Sequence, residues 1–204
     1  MKIRLKNIGK RFNRDWIFRT FTYEFNSGHS YGITGPNGSG KSTLLQVIPG
    51  ATLYNEGTIE YFNDAQIPAE QIFNYVSIAA PYLELIEEMT LIEFLRFHQQ
   101  LRGLLKGCDI PMILKITGLE NSTNKQIRYF SSGMKQRVKL AQAVFCDAPI
   151  VLLDEPHTNL DLDGIHLYHQ LINDYCKERL LIVSSNDKAE YDFCDEVIDI
   201  AKYK

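Results

Sequence analysis

Residues 35–43 read Gly35-Pro36-Asn37-Gly38-Ser39-Gly40-Lys41-Ser42-Thr43, a G-x-x-x-x-G-K-S pattern. Three glycines (Gly35, Gly38 and Gly40) let the main chain take positive φ and approach a ligand with no Cβ in the way. The bend turns successive N–H groups inward, forming a nest for phosphate oxygens. Lys41 adds a point charge for β- and γ-phosphates, and the Ser42 hydroxyl is placed to bind Mg²⁺. Residues 41–48 read as a helix whose positive N-terminal end faces the same anion, and Pro49-Gly50 stops it. Residues 29–34 read as a short strand. The loop thus lies between strand and helix, the context that this pattern needs to bind a nucleoside triphosphate.

A second half of the site lies far along the chain. Residues 150–153 are continuously apolar, as in a parallel strand covered on both faces, and Asp154-Glu155 follows. In a parallel sheet the carboxyl ends of neighbouring strands open on one crevice. Asp154 would then lie beside the phosphate loop, where it can hold Mg²⁺ through water. Glu155 can face a water in line with the γ-phosphate and act as general base.

Composition bounds the rest. The 204 residues can bury a substantial core as one domain, and 45% hydrophobic with 23% charged residues is ordinary for a globular protein. A formal net charge of −3 argues against a surface built to hold nucleic acid. No apolar run approaches the roughly 18–20 residues that span a bilayer. The N-terminal residues 1–6 alternate charged and apolar types, unlike a signal peptide, so a cytosolic protein is expected. The four cysteines are widely spaced, with no C-x-x-C pair, and read as reduced and structural.

Along the chain, residues 2–7 read as an edge strand and 18–25 as a second strand, with 29–34 completing an antiparallel region that feeds the loop. Residues 58–62 and 75–78 are further strands. Thr90-Leu91-Ile92-Glu93 is a capping box for a helix over 91–102, with Leu91, Phe94, Leu95 and Leu101 on its apolar side and Gly103 ending it. Helices are also expected over 109–116, 132–145 and 163–178, and strands over 180–184 and 196–201.

Between the two halves of the site, residues 130–137 read Phe130-Ser131-Ser132-Gly133-Met134-Lys135-Gln136-Arg137. Ser131-x-Gly133 opening a basic helix, followed by the Asp154-Glu155 strand, resembles the signature segment of ATP-binding cassette (ABC) ATPases. The likeness spans essentially the whole chain. It implies an α/β P-loop NTPase fold: a RecA-like core with an antiparallel β subdomain over about 1–83 and 146–204, and an inserted helical subdomain over about 84–145. It also implies ATP and Mg²⁺ as ligands, and two ATP molecules sandwiched between two head-to-tail chains. Ser131, the Gly133 N–H and the helix end would form an anion site for the partner's nucleotide. Asn159-Leu160-Asp161 resembles the D-loop, which crosses that interface. Phe12 resembles the aromatic that stacks on adenine, with Trp16 a competitor. A separate transmembrane permease is the implied second partner, holding the subunit at the inner face of the membrane.

Some positions depart from the family pattern. Ser132 and Met134 replace a signature glycine and glutamine. Residues 74–91 contain no glutamine to serve as the Q-loop residue, although Glu84 could substitute. Asn186 stands where the family has a switch histidine. Asn offers a neutral N–H donor to the γ-phosphate but is shorter and cannot take up a proton. The expectation is a chain that binds ATP well and hydrolyses it slowly alone. Two other readings are a non-transport ABC ATPase acting on ribosomes or DNA, and a hydrolysis-poor regulatory module. The acidic charge and lack of a tandem cassette oppose the first. Intact Lys41, Asp154 and Glu155 oppose the second.

Overall fold

Two sheets organise the chain in a computed structural model that describes residues 1–204. β1 (Lys2–Phe12), β2 (Asp15–Asn26), β4 (Glu56–Asn63) and β5 (Ala65–Ile67) pair antiparallel in the order β2-β1-β4-β5. β3 (Ser30–Thr34), β6 (Val76–Ala79), β7 (Ile150–Asp154), β8 (Leu180–Ser184) and β9 (Glu196–Asp199) pair parallel in the order β6-β7-β8-β3-β9. Five helices complete the α/β fold: α1 (Lys41–Val47), α2 (Leu91–Arg102), α3 (Ile110–Thr117), α4 (Ser132–Val144) and α5 (Leu162–Tyr175).

The apolar runs of β7 and β8 explain why the parallel sheet is central. Side chains alternate across a strand. Val151, Leu153, Leu181 and Val183 pack into one core with α2 to α5. Ile150, Leu152, Leu180 and Ile182 pack into another with α1 and the antiparallel sheet. Both faces are covered, which is why these strands show no polar alternation. The β3 strand joins this sheet between β8 and β9, whereas the sequence placed it in the antiparallel region. Its buried Tyr31 and Ile33 are equally suited to either sheet.

The first strand also differs from its expectation. β1 is not an edge: it pairs with β2 on one side and β4 on the other. It runs on to Phe12 through register shifts, and Asn7 takes a φ of 50° there. That bulge breaks the alternation after residue 6, which hid the second half of the strand. The charges of its outer face are paired at the surface, with Lys2 and Arg4 on Glu24.

The capping box of α2 is formed as read: the Thr90 hydroxyl accepts from the Glu93 N–H, and the Glu93 carboxylate accepts from the Thr90 N–H. Leu91, Phe94 and Leu95 are buried, but Leu101 is exposed. In that last turn it is Arg102 that anchors the helix, donating to the Val76 carbonyl at 2.7 Å. The final strand ends at Asp199, whose carboxylate caps a 3₁₀ turn over Ile200–Tyr203.

One buried cation joins these layers. Arg179, at the start of β8, donates to the carbonyls of Val144 (2.6 Å), Ala148 (2.7 Å) and Cys146 (3.1 Å). It thereby satisfies the C-terminal end of α4, where helix carbonyls lack partners and the dipole favours a cation. Burial lowers its pKa. Replacing Arg179 with Met would strand these carbonyls, each a charge-assisted bond worth about 1.5–3 kcal/mol. Urea unfolding of Arg179→Met should show a loss of at least about 3 kcal/mol. A loss below about 1 kcal/mol would show that the cation is not what closes the α4 end.

Candidate functional site

The phosphate-loop residues follow β3 directly. Gly40 takes a φ of 103°, and a Cβ there would sit 2.4 Å from the Ile17 side chain of β2. Only glycine fits both the conformation and the space. The Lys41 ammonium folds back over the loop, donating to the Gly35 carbonyl at 2.8 Å, and is buried. Beside it opens a cleft of about 370 Å³ lined by Ile17, Asn37, Gly38, Gly40 and Lys41, with Ser42, Thr43 and Glu155.

Sheet order brings the second half of the site to this cleft. β8 lies between β3 and β7, so the ends of these three strands open side by side. Asp154 pairs in register with Ser184 and is buried. Its Oδ1 has no hydrogen-bond partner, nor do the buried hydroxyls of Ser39 and Ser184. A buried carboxylate oxygen left unpaired is costly. That oxygen, with the Ser42 hydroxyl in the cleft wall, is a donor set that fits Mg²⁺, a hard cation of oxygen sites.

Glu155 is exposed to the cleft and takes a φ of 45°. A non-glycine residue in that region costs about 1–3 kcal/mol and persists only where its surroundings enforce it. Its N–H donates to the Ser184 carbonyl at 2.9 Å, tying it to the next strand. Asn186, two residues beyond Ser184, donates from Nδ2 to Asn37 Oδ1 at 2.7 Å. The residue in the place of a switch histidine therefore reaches the phosphate loop itself.

Glu84 does not approach this cleft. It lines a separate cavity of about 310 Å³ with Glu87, Ser132, Lys135, Gln136, Lys139 and Asn159. Tyr82, on the same loop, lines a separate apolar groove; burial raises its pKa, the Gln46 side chain opposes this, and the charge of Asp154 adds to it.

Ser131 and Gly133 are also absent from the cleft wall. Ser131 caps α4, its Oγ accepting from the Met134 N–H at 3.2 Å. A Cβ on Gly133 would lie 3.0 Å from the Asn159 carbonyl, so the signature and D-loop segments touch. Asp161 caps α5, accepting from the Gly164 N–H at 2.8 Å and from Arg137 at 3.0 Å. These bonds, the Gly164 N–H first, lower its pKa. The cations of α4 are half-buried and engaged: Lys135 pairs with Glu87, and Lys139 donates to the carbonyls of Ala80 and Pro81.

Of the two candidate aromatics, Trp16 lies against two guanidiniums, Arg11 and Arg19. Phe12 is half-exposed, with the Lys10 ammonium 4.4 Å from its ring centre. Neither ring lines the cleft. His157 lies in the turn after Glu155. Its side chain is buried against Tyr168 and beside Glu190, and burial lowers its pKa while raising that of Glu190. Nothing in the spacing of His157 and Glu190 signalled this contact. His169 packs on His157.

Comparison with known proteins agrees with this geometry. A family model described as ABC transporter matches residues 18–158. The chain is 30% identical to YybJ of Bacillus subtilis, an ABC transporter ATP-binding protein, over 97% of this chain and 92% of that one. Among solved structures, an ATP-binding subunit of an ABC transporter superposes with a TM-score of 0.85 at 25% identity, over 98% of this chain and 87% of that one. The cassette MJ0796, solved as a dimer, superposes with a TM-score of 0.82 at 22% identity, over 98% and 95% of the two chains. Fold, cleft and relatives converge: the chain belongs to the ABC transporter family, as a nucleotide-binding domain.

Proposed function

We propose that this chain binds MgATP in the phosphate-loop cleft, hydrolyses it with Glu155 as general base, and drives a separate permease through ATP-dependent dimerisation. One observation carries the reading. Glu155 lines the same cleft as Lys41 and Ser42, while Ser131 and Gly133 lie outside it. The main-chain N–H groups of residues 37–43 and the Lys41 ammonium would hold the β- and γ-phosphates. Ser42 and Asp154 would hold Mg²⁺, which when bound neutralises phosphate charge. Glu155 takes a proton from a water as its oxygen attacks the γ-phosphorus, and the bond to the ADP oxygen breaks. Asn186, released from Asn37, donates to the γ-phosphate.

The signature segment completes the site only from a second, head-to-tail copy. Ser131, Gly133 and Asp161 then face the partner's nucleotide, and Phe12 stacks on the adenine of its own. MJ0796, solved as a dimer and in a post-hydrolysis state with ADP and phosphate, offers an example on the same fold. Residues 84–145 move as the helical unit in this reading.

An apolar groove of about 580 Å³ supports a permease contact. Ile72, Phe73, Ile78, Tyr82 and Leu83 line it, and Phe73 and Tyr82 are 59% and 44% exposed. It adjoins the loop after β6, which falls in the segment where the Q-loop is expected. No helix is long and apolar enough to cross a membrane. The subunit would therefore sit at the cytoplasmic face through that partner. The Asn186–Asn37 bond favours slow intrinsic turnover, since the donor must leave one partner to reach another.

Steady-state assay with size-exclusion chromatography tests the base. Glu155→Gln should lose at least about a hundredfold in kcat and accumulate an ATP-stabilised dimer. Wild-type turnover in that variant would end the assignment. Asn186→His should raise kcat by about tenfold at unchanged ATP affinity; no gain would mean that the switch position does not limit turnover. Phe73→Asp should leave ATP binding intact and abolish copurification with the permease. Retained copurification would place the docking surface elsewhere.

A further inference from the structure

The turn after Glu155 is fastened by a carboxylate that the proposed hydrolysis does not use. Glu190 ends a 3₁₀ turn, Lys188–Glu190, that starts two residues beyond Asn186, and only 4% of it is exposed. One carboxylate oxygen accepts the main-chain N–H of His157 at 2.6 Å. Three other contacts fix Glu190 in place. Its N–H donates to the Asp187 carbonyl at 3.0 Å, its carbonyl accepts the Tyr168 hydroxyl at 2.7 Å, and the His157 ring packs beside its side chain. A bond from an N–H to a carboxylate is charge-assisted and short, so it holds geometry firmly.

The other bonds on this turn complete the picture. The Glu155 N–H donates to the Ser184 carbonyl at 2.9 Å, and the Pro156 carbonyl accepts from Gln136 at 2.9 Å. Glu155 thus has a fixed bond at its own N–H, and its left-handed φ of 45° must be enforced from the C-terminal side as well. Two donors act on that side: the Thr158 N–H closes the turn onto the Glu155 carbonyl at 3.1 Å, and the His157 N–H is held by Glu190.

We propose that Glu190 is a positioning residue for hydrolysis: by holding the His157 N–H, it keeps Glu155 in its left-handed conformation and aimed into the cleft. The inference rests on the reading of Glu155 as the base. Because Glu190 stands on the loop after β8, it also links the Glu155 turn to the segment carrying Asn186. Nucleotide affinity, by contrast, comes from the phosphate loop after β3. Loss of Glu190 should then impair the chemical step and spare binding.

Purified wild type, Glu190→Ala, Glu190→Gln, Glu190→Asp and Glu155→Gln should be compared. The readouts are dissociation constants for a fluorescent ATP analogue, single-turnover hydrolysis rates at saturating MgATP, and thermal midpoints. Ala should slow hydrolysis by about ten- to a hundredfold, with affinity changed less than about twofold, since misplacing a catalytic group by an ångström costs on that order. Gln keeps an acceptor oxygen at the same reach and should recover most of the rate. Asp keeps the charge but falls short of the N–H, so it should behave like Ala; this pair decides the matter should Ala fail to fold. Equal losses of affinity and rate in Asp, or a wild-type rate in Ala or Asp, would overturn the role of Glu190. If Glu155→Gln itself hydrolyses at the wild-type rate, the base assignment fails instead, whatever Glu190 does.

Discussion

Parallel pairing of β8 with β7 on one side and β3 on the other sets what the cleft can do. Three strands thereby deliver three loops to one edge: the phosphate loop after β3, the Asp154-Glu155 turn after β7, and the segment carrying Asn186 after β8. Register makes the juxtaposition tight, with Asp154 opposite Ser184 and Ile33 opposite Ser184 on the other side. Chain positions about 150 apart become neighbours without any of them leaving a strand end. Loop residues placed by a buried sheet are held more firmly than residues on a free loop.

The sheet can play this part because both its faces are covered. Alternate side chains of β7 and β8 enter two different cores, so a one-residue slip would swap the two faces and mismatch the packing of both. Arg179 locks the same strands to the end of α4, the helix that carries the signature segment. A structural cation therefore connects the nucleotide cleft of one copy to the surface proposed to meet the other.

Much of this was legible in the sequence, for physical reasons that can be named. The phosphate loop is readable because a nest of N–H groups needs glycines at fixed spacing. β7 is readable because a strand buried on both faces has no polar alternation. The α2 capping box is readable because two side chains satisfy two main-chain groups locally. What escaped depends on partners distant in sequence. Whether β3 joined one sheet or the other turned on pairing with β8 and β9, which its own residues do not encode. The second half of β1 was hidden by the bulge at Asn7. His157 and Glu190 meet across 33 positions, and their contact leaves no periodic trace. The engagement of the α4 cations is equally invisible, because their acceptors are carbonyls and carboxylates of other segments.

The proposed site is split between two copies, and complementation tests that most directly. One chain would carry Lys41→Ala, damaging its phosphate loop but keeping its signature segment. The other would carry Ser131→Arg, damaging the signature segment but keeping the loop. Neither should hydrolyse ATP alone, and an equimolar mixture should recover turnover, because a mixed dimer contains one composite site with both halves intact. No recovery on mixing, or full activity of the Ser131→Arg chain alone, would contradict the account.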